Sequence, residues 1–86
     1  MNYFVYILLC NDNTFYIGYT KNLENRLFKH NIKKGAKYTR GRTPVVLKYF
    51  EQFETLSQAL KREYFLKHLT KPEKNNLINN SDILKI

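Results

Sequence analysis

Glu63 stands where the pattern around it asks for an apolar residue. Thr55 to Leu66 reads as an amphipathic helix in which Leu56, Ala59 and Leu60 are spaced i, i+3 and i+4. The i+7 position of that stripe is Glu63. A carboxylate on an inward face has to be paired, protonated or bound to a cation. In a basic chain it is a candidate ligand for a metal ion facing a phosphate. The competing explanation is an i, i+4 ion pair with Lys67. A second spacing of this kind joins Arg26 and His30, which sets a permanent cation beside a titratable imidazole. Cys10 is the single cysteine, so an internal disulfide and a cysteine-built zinc site are both excluded. No basic cluster adjoins it in sequence to activate a thiolate, and it reads as a small apolar residue near a strand end. His68 reads as a helix-end residue beside the C-terminal dipole.

The elements that must position these groups follow from pattern and punctuation. Tyr3 to Leu9 is a continuous β-favouring run with the look of a buried strand. Asn11-Asp12-Asn13 is a turn cluster, and Thr14 to Tyr19 reads as the second arm of an antiparallel hairpin. Gly18 in that arm signals a bulge or a close backbone approach. Thr20 or Asn22 caps a helix over Leu23–Asn31 that turns Leu23 and Leu27 inward. A Lys-, Gly- and Arg-rich loop runs from Ile32 to Arg42, with a short turn of helix expected at Ala36–Thr39. Val45 to Glu51 is a third strand. Thr55 with Gln58, and Thr70 with Glu73, are capping boxes, opening one helix that runs to about His68 and another over about Pro72–Ile78. The order ββαβαα gives an α+β fold, a small three-stranded, largely antiparallel sheet flanked by helices. We expect one domain over residues 1–80 and a tail at 81–86.

Composition bounds the function. At 86 residues the chain buries only roughly 60% of its unfolded surface, so its core leans on the aromatic residues. No stretch approaches the ~20 apolar residues of a membrane span. The N-terminal run lacks a charged n-region and a cleavage site, which leads us to expect a cytoplasmic protein in reach of the nucleoid. Lys and Arg number 15 against 7 acids, a net charge of +8. The excess is concentrated, because between Glu24 and Glu51 there are eight cations and no acid. That stretch faces a polyanion, and nucleic acid is preferred to an acidic membrane since no helix joins these lysines to a broad apolar face.

Val5-Tyr6-Ile7, then Tyr16-Ile17-Gly18 ten residues on, then Arg26, His30 and Glu63, resemble the GIY-YIG nuclease domain. The likeness runs from Tyr3 to about Ile78 and is nearest to small stand-alone bacterial members. The first motif reads Phe4-Val5-Tyr6, so its glycine and isoleucine are replaced while the tyrosine is kept. The resemblance implies a DNA endonuclease of repair or recombination type, with RNA left open. It implies one Mg²⁺ or Mn²⁺ on Glu63, a hard cation suited to oxygen ligands. It implies Arg26 as phosphate ligand, Tyr6 as the group that orients or deprotonates the attacking water, Tyr16 as its hydrogen-bonding partner, and His30 as a competing base. A phenol of ordinary pKa about 10 needs a cationic neighbour to act as base, which Arg26 or the metal would supply, whereas an unperturbed imidazole titrates at about 6.5. Lys37, Tyr38, Arg40 and Arg42 are expected at the substrate, as phosphate contacts and a stacking ring. Asn75, Asn76, Lys67 and Lys71 compete for a further position in the site. The alternatives are a nucleic-acid-binding module with little turnover, and an interaction domain for an acidic partner.

Overall fold

The longest β-favouring run becomes the middle of the sheet. In the computed structural model, which describes residues 2–81, β1 (Tyr3–Leu9) pairs antiparallel with β2 (Phe15–Thr20) on one side and β3 (Val46–Phe53) on the other. With α1 (Leu23–Asn31), α2 (Leu56–Lys67) and α3 (Lys71–Asn79) the order is ββαβαα, and the sheet order is β2-β1-β3. Except for Ser81, the expected tail lies outside the described residues.

Both faces of β1 are covered, which is why its sequence does not alternate apolar and polar. Val5 and Ile7 join Ile17, Ala59 and Leu66 in a core beneath α2, with Leu77 and Ile78 of α3 at its margin. Tyr6 and Leu8 point the other way, into a second core with Cys10, Val45, Leu23 and Leu27 beneath α1. The hairpin turn is set locally. Asp12 Oδ1 accepts from the Thr14 hydroxyl at 2.6 Å, and Asn13 takes a positive φ of 67° that asparagine tolerates. The β1–β3 register steps between Ile7 and Leu8, which face Tyr49 and Leu47, so Lys48 is the extra residue of a bulge.

The three helices start at the expected caps. Asn22 accepts from the Asn25 amide at 2.9 Å, and Thr55–Gln58 and Thr70–Glu73 are complete capping boxes. The phase of α2 differs from expectation. Leu56 and Leu60 are outward, 39% and 40% exposed, and the buried residues are Ala59 and Leu66. Arg62 fixes this rotation: its Nε and Nη2 clasp Glu51 of β3 at 3.0 and 2.9 Å, and Tyr49 donates to the same carboxylate. Ala59, lacking bulk, lets the helix lie close on the sheet. Glu63 is thereby at the margin of the buried face, not on its midline.

Across the long loop, Asn31 Oδ1 accepts from the Val45 amide at 2.7 Å and its Nδ2 donates to the Val45 carbonyl at 3.2 Å. The Asn11 amide donates to the Arg42 carbonyl at 2.8 Å. Both ends of the basic loop are thus tied to the sheet, and its middle folds as successive turns over residues 37–41.

Candidate active site

β2 is an edge strand, and the site lies across its free side. Tyr6 is on the central strand, one strand inward, in register with Gly18. A Cβ at Gly18 would sit 2.6 Å from Tyr6 Oη, 2.9 Å from its Cζ and 3.1 Å from Tyr16 Cε2. The glycine is a window in the edge strand through which the central tyrosine reaches out. The close backbone approach expected at Gly18 is this one, and the sheet's bulge is in β3 instead. Tyr6, Tyr16, Gly18, Tyr19, Thr20, Arg26 and Glu63 line one cleft of about 300 Å³. Arg26 enters it from α1 and Glu63 from α2, one helix from each side of the sheet. Four of the five expected site residues therefore share a cleft, and the fifth lies directly behind it.

That fifth residue is His30, fully buried. Its Nε2 is 3.0 Å from Tyr6 Oη and its Nδ1 is 2.7 Å from Thr39 Oγ1. The hydrogen-bond network assigns the protons. Thr39 donates its one hydroxyl proton to the Ala36 carbonyl at 3.0 Å, so it accepts from Nδ1–H. The Ala36 amide, 3.5 Å from Nδ1, is too distant to compete. Nε2 is then an acceptor, and Tyr6 donates to it. Gly35 clears the space, since a Cβ there would meet His30 Nδ1 at 2.5 Å. Thr39 and Gly35 escaped the sequence reading. The available signal was a lone threonine bracketed by Gly35 and Gly41 in a loop of cations.

Burial dominates the electrostatics. It pushes the Tyr6 phenol up to about 12, opposed by the hydrogen-bonding Arg26 guanidinium and helped by the neighbouring Tyr16. Burial also pushes His30 down to about 4, and the positive charge of Arg26 adds to the effect. The expectation that Arg26 would make Tyr6 a ready base is corrected here: desolvation outweighs the guanidinium. Tyr6 is a neutral phenol and His30 a neutral imidazole. Arg26 is itself held more firmly protonated, first by its interaction with Tyr6. No carboxylate pairs with it among the described residues.

The Glu63 side chain is 16% exposed, and Lys67 Nζ is 3.5 Å from its Oε1. The helical ion pair anticipated as its ordinary explanation is therefore present. Lys67 is half exposed, and such a pair contributes only about 0.3–0.5 kcal/mol. It does not by itself account for a carboxylate drawn into a cleft of phenols. Among the described residues no three His, Cys, Asp or Glu side chains gather. The cleft offers one carboxylate and the oxygens of Tyr6, Tyr16 and Thr20, a donor set that fits a hard divalent cation with an otherwise hydrated shell.

The remaining expected residues divide. Lys37, Tyr38 and Arg42 line an adjoining concavity with Asp12, and Arg40 is exposed beside it. Arg42 is engaged internally: its Nε bonds Asp12 at 2.9 Å, and its guanidinium lies 4.1 Å over the Tyr38 ring. Tyr38 in turn is 5.7 Å from Tyr16, centroid to centroid, so the loop touches the site through that ring pair. Of the four residues competing for a further place, Lys67 is beside Glu63, whereas Lys71 and Asn75 line a separate groove. His68 is the C-cap of α2, its Nδ1 against the Tyr64 carbonyl at 2.7 Å. Cys10 is buried, near the end of β1.

Residues 2–77 match the GIY-YIG catalytic domain. The UPF0213 protein CPE1444 of Clostridium perfringens is 54% identical over 96% of this chain and 88% of its own length. The UPF0213 protein VNG_2274C of Halobacterium salinarum is 48% identical over 85% of this chain and 95% of its own. The solution NMR structure of the UPF0213 protein BH0048 of Bacillus halodurans is 44% identical, covers 92% of this chain and 84% of that one, and has a TM-score of 0.60. With the tyrosine pair, the arginine and the glutamate around one cleft, and with these matches over nearly its whole length, the chain belongs to the GIY-YIG nuclease-domain family, among its UPF0213 members.

Proposed function

We propose that the protein is a divalent-metal-dependent endonuclease that hydrolyses DNA phosphodiester bonds in the cleft across β2. The observation that carries this reading is the convergence of Tyr6, Tyr16, Arg26 and Glu63 on that cleft, with a neutral histidine bonded to Tyr6 from behind. Because Tyr6 gives its proton to His30 Nε2, its oxygen is an acceptor toward the cleft, with one lone pair for the Arg26 guanidinium and one for a water. A water there donates to Tyr6 Oη and is turned toward a phosphate. Arg26 holds that phosphate, its planar fork matching two oxygens. Anion binding at Arg26 removes one of the two causes that depress His30. The imidazole then becomes a better acceptor for the Tyr6 proton as the phenol takes one from water. Both roles envisaged for Tyr6 and His30 thus join in one relay, phenol in front and imidazole behind. Glu63 would hold Mg²⁺ or Mn²⁺, which supplies Lewis-acid charge to the phosphoryl and leaving oxygens. Lys37 and Arg40, exposed beside the cleft, supply longer-range attraction for the backbone, and Arg42 props Tyr38 against Tyr16.

The test is Glu63→Gln beside the native protein, on single-stranded, branched and duplex DNA with Mg²⁺ and Mn²⁺. Cleavage is expected to vanish in the variant while DNA binding survives or tightens, since an anion near phosphate is removed. Equal cleavage by both proteins overturns the assignment of Glu63. The Glu63–Lys67 pair favours the second reading, a binding module with little turnover. Binding without metal-dependent cleavage in the native protein would establish that one.

A further inference from the structure

The open edge of β2 does not end at the cleft. Tyr16 also lines a second depression of about 220 Å³, where Phe15, Lys67 and Lys74 meet it. Phe15 in turn lines a third, of about 240 Å³, between the hairpin and α3. Lys71 and Lys48 flank this last one, with the amides of Asn13 and Asn75. Each shares one wall with the next, Tyr16 and then Phe15; the first two follow the β2 edge, and the third turns past Phe15 to the end of the sheet, where Leu9 of β1 and Lys48 of β3 also line it. At the rise of an antiparallel strand, Phe15 to Thr20 spans roughly 17 Å, the length of about five phosphates along a stacked nucleic-acid strand.

The cations along this line are placed by the fold. Lys48 is the bulged residue of β3, and a bulge re-aims the side chain it carries. Lys71 and Lys74 are i, i+3 on α3 and share a flank. Lys71 Nζ is anchored on the Asn13 carbonyl at 2.5 Å, beside the Phe15 ring. Among the described residues, no carboxylate forms an ion pair with Lys48, Lys71 or Lys74, although the chain pairs three other cations with acids. Converging lysines, amides and an aromatic ring suit a single phosphodiester chain, whose phosphates meet cations while an unpaired base is free to stack.

We propose that this groove, leading from the cleft along β2 onto α3, holds one unpaired nucleic-acid strand, with its phosphates on Lys74, Lys71 and Lys48. The proposal rests on the nuclease reading of the cleft and specifies the substrate it takes: a strand that is single on one side of the scissile bond. The basic loop borders the same path, because Tyr38 lines the second depression with Lys67 and Lys74.

Fluorescence anisotropy in EDTA, across a salt series, separates this from cleavage. The probes are an oligothymidylate of about 12 nucleotides, one of about 4, and a duplex of the longer length. The variant Lys48→Gln/Lys71→Gln/Lys74→Gln is expected to lower the log–log salt slope for the longer single strand by about 2, at about 0.7 per lost phosphate contact. Its affinity for that strand should fall at least about tenfold at low salt, with the short strand and the duplex unchanged. Lys48→Gln/Lys74→Gln keeps the Lys71 anchor and should lower the slope by about 1.4. An unchanged slope in both variants, or equal losses on single strand and duplex, overturns the proposal. Native binding with this pattern but no cleavage in Mg²⁺ or Mn²⁺ would sink the nuclease reading alone.

Discussion

Replacing Gly18 by alanine adds one methyl group at the point where the whole site passes through the edge strand. The new carbon would lie 2.6 Å from Tyr6 Oη and 2.9 Å from Cζ, whereas real Cβ contacts essentially never fall below 3.0 Å. The phenol must retreat by at least about 0.4 Å, and it is 1% exposed with packed neighbours behind it. Overpacking of this kind costs about 1–3 kcal/mol. Breaking the Tyr6–His30 bond leaves a buried imidazole nitrogen unsatisfied, at about 1–3 kcal/mol more. We expect a loss of about 2–5 kcal/mol by urea denaturation, or at least about 10 °C in Tm for a chain this small. In the protein that remains folded, single-turnover cleavage should drop about a hundredfold, since misplacing a reacting group by about 1 Å has that effect. DNA binding should be spared. Gly41→Ala is the matched control, because nothing lies within 4 Å of a Cβ there, and its stability should change by less than about 0.5 kcal/mol. Adding Tyr6→Phe to Gly18→Ala removes the closest clash, so the two losses should be less than additive. Native stability and cleavage in Gly18→Ala would refute the window argument.

Two further outcomes follow from the same packing. His30 titrates near 4 in the folded chain against an ordinary 6.5, so the unfolded chain takes up a proton that the folded one refuses as pH falls between those values. The stability due to neutral His30 is complete above pH 6.5 and is lost toward pH 4, by up to about 3 kcal/mol. Urea midpoints at pH 7 and 4.5 should therefore differ more in the native protein than in His30→Gln, and parallel pH dependence in the two would contradict the burial argument. Glu51→Gln should destabilise by about 1–2 kcal/mol, because the half-buried Arg62 loses its charged partner and Tyr49 its acceptor. The folded fraction should cut DNA at the native rate, which single-turnover assays would check, as the clamp lies on the far side of α2's buried stripe.

What was legible in the sequence was local. The buried run Tyr3–Leu9, the Asp12–Asn13 turn and the caps at Asn22, Thr55 and Thr70 each depend on neighbours a few residues away. So does the common stripe of Arg26 and His30. The resemblance then supplied the order in which Tyr6, Tyr16, Arg26, His30 and Glu63 belong together. What was not legible depends on partners far along the chain. The rotation of α2 is decided by Arg62 and Glu51, 11 residues apart and on different elements. Arg42 was expected to be free for phosphate, yet Asp12 holds it across a separation of 30 residues. The pKa order of Tyr6 and His30 is a matter of depth in the fold, which charge spacing along a helix does not report. Thr39 belongs with them, since its importance comes from burial against an imidazole nine residues earlier.

An outermost β-strand with bare amides and carbonyls ordinarily invites copies of the same chain to add on and polymerise. Here β2 is such a strand, and its open flank is bordered by like-charged ammonium groups on α2 and α3. Repulsion between two such borders opposes edge-to-edge pairing there. The same positive fringe that draws in a polyanion thus also guards colloidal stability, and engineering it away trades solubility as well as affinity.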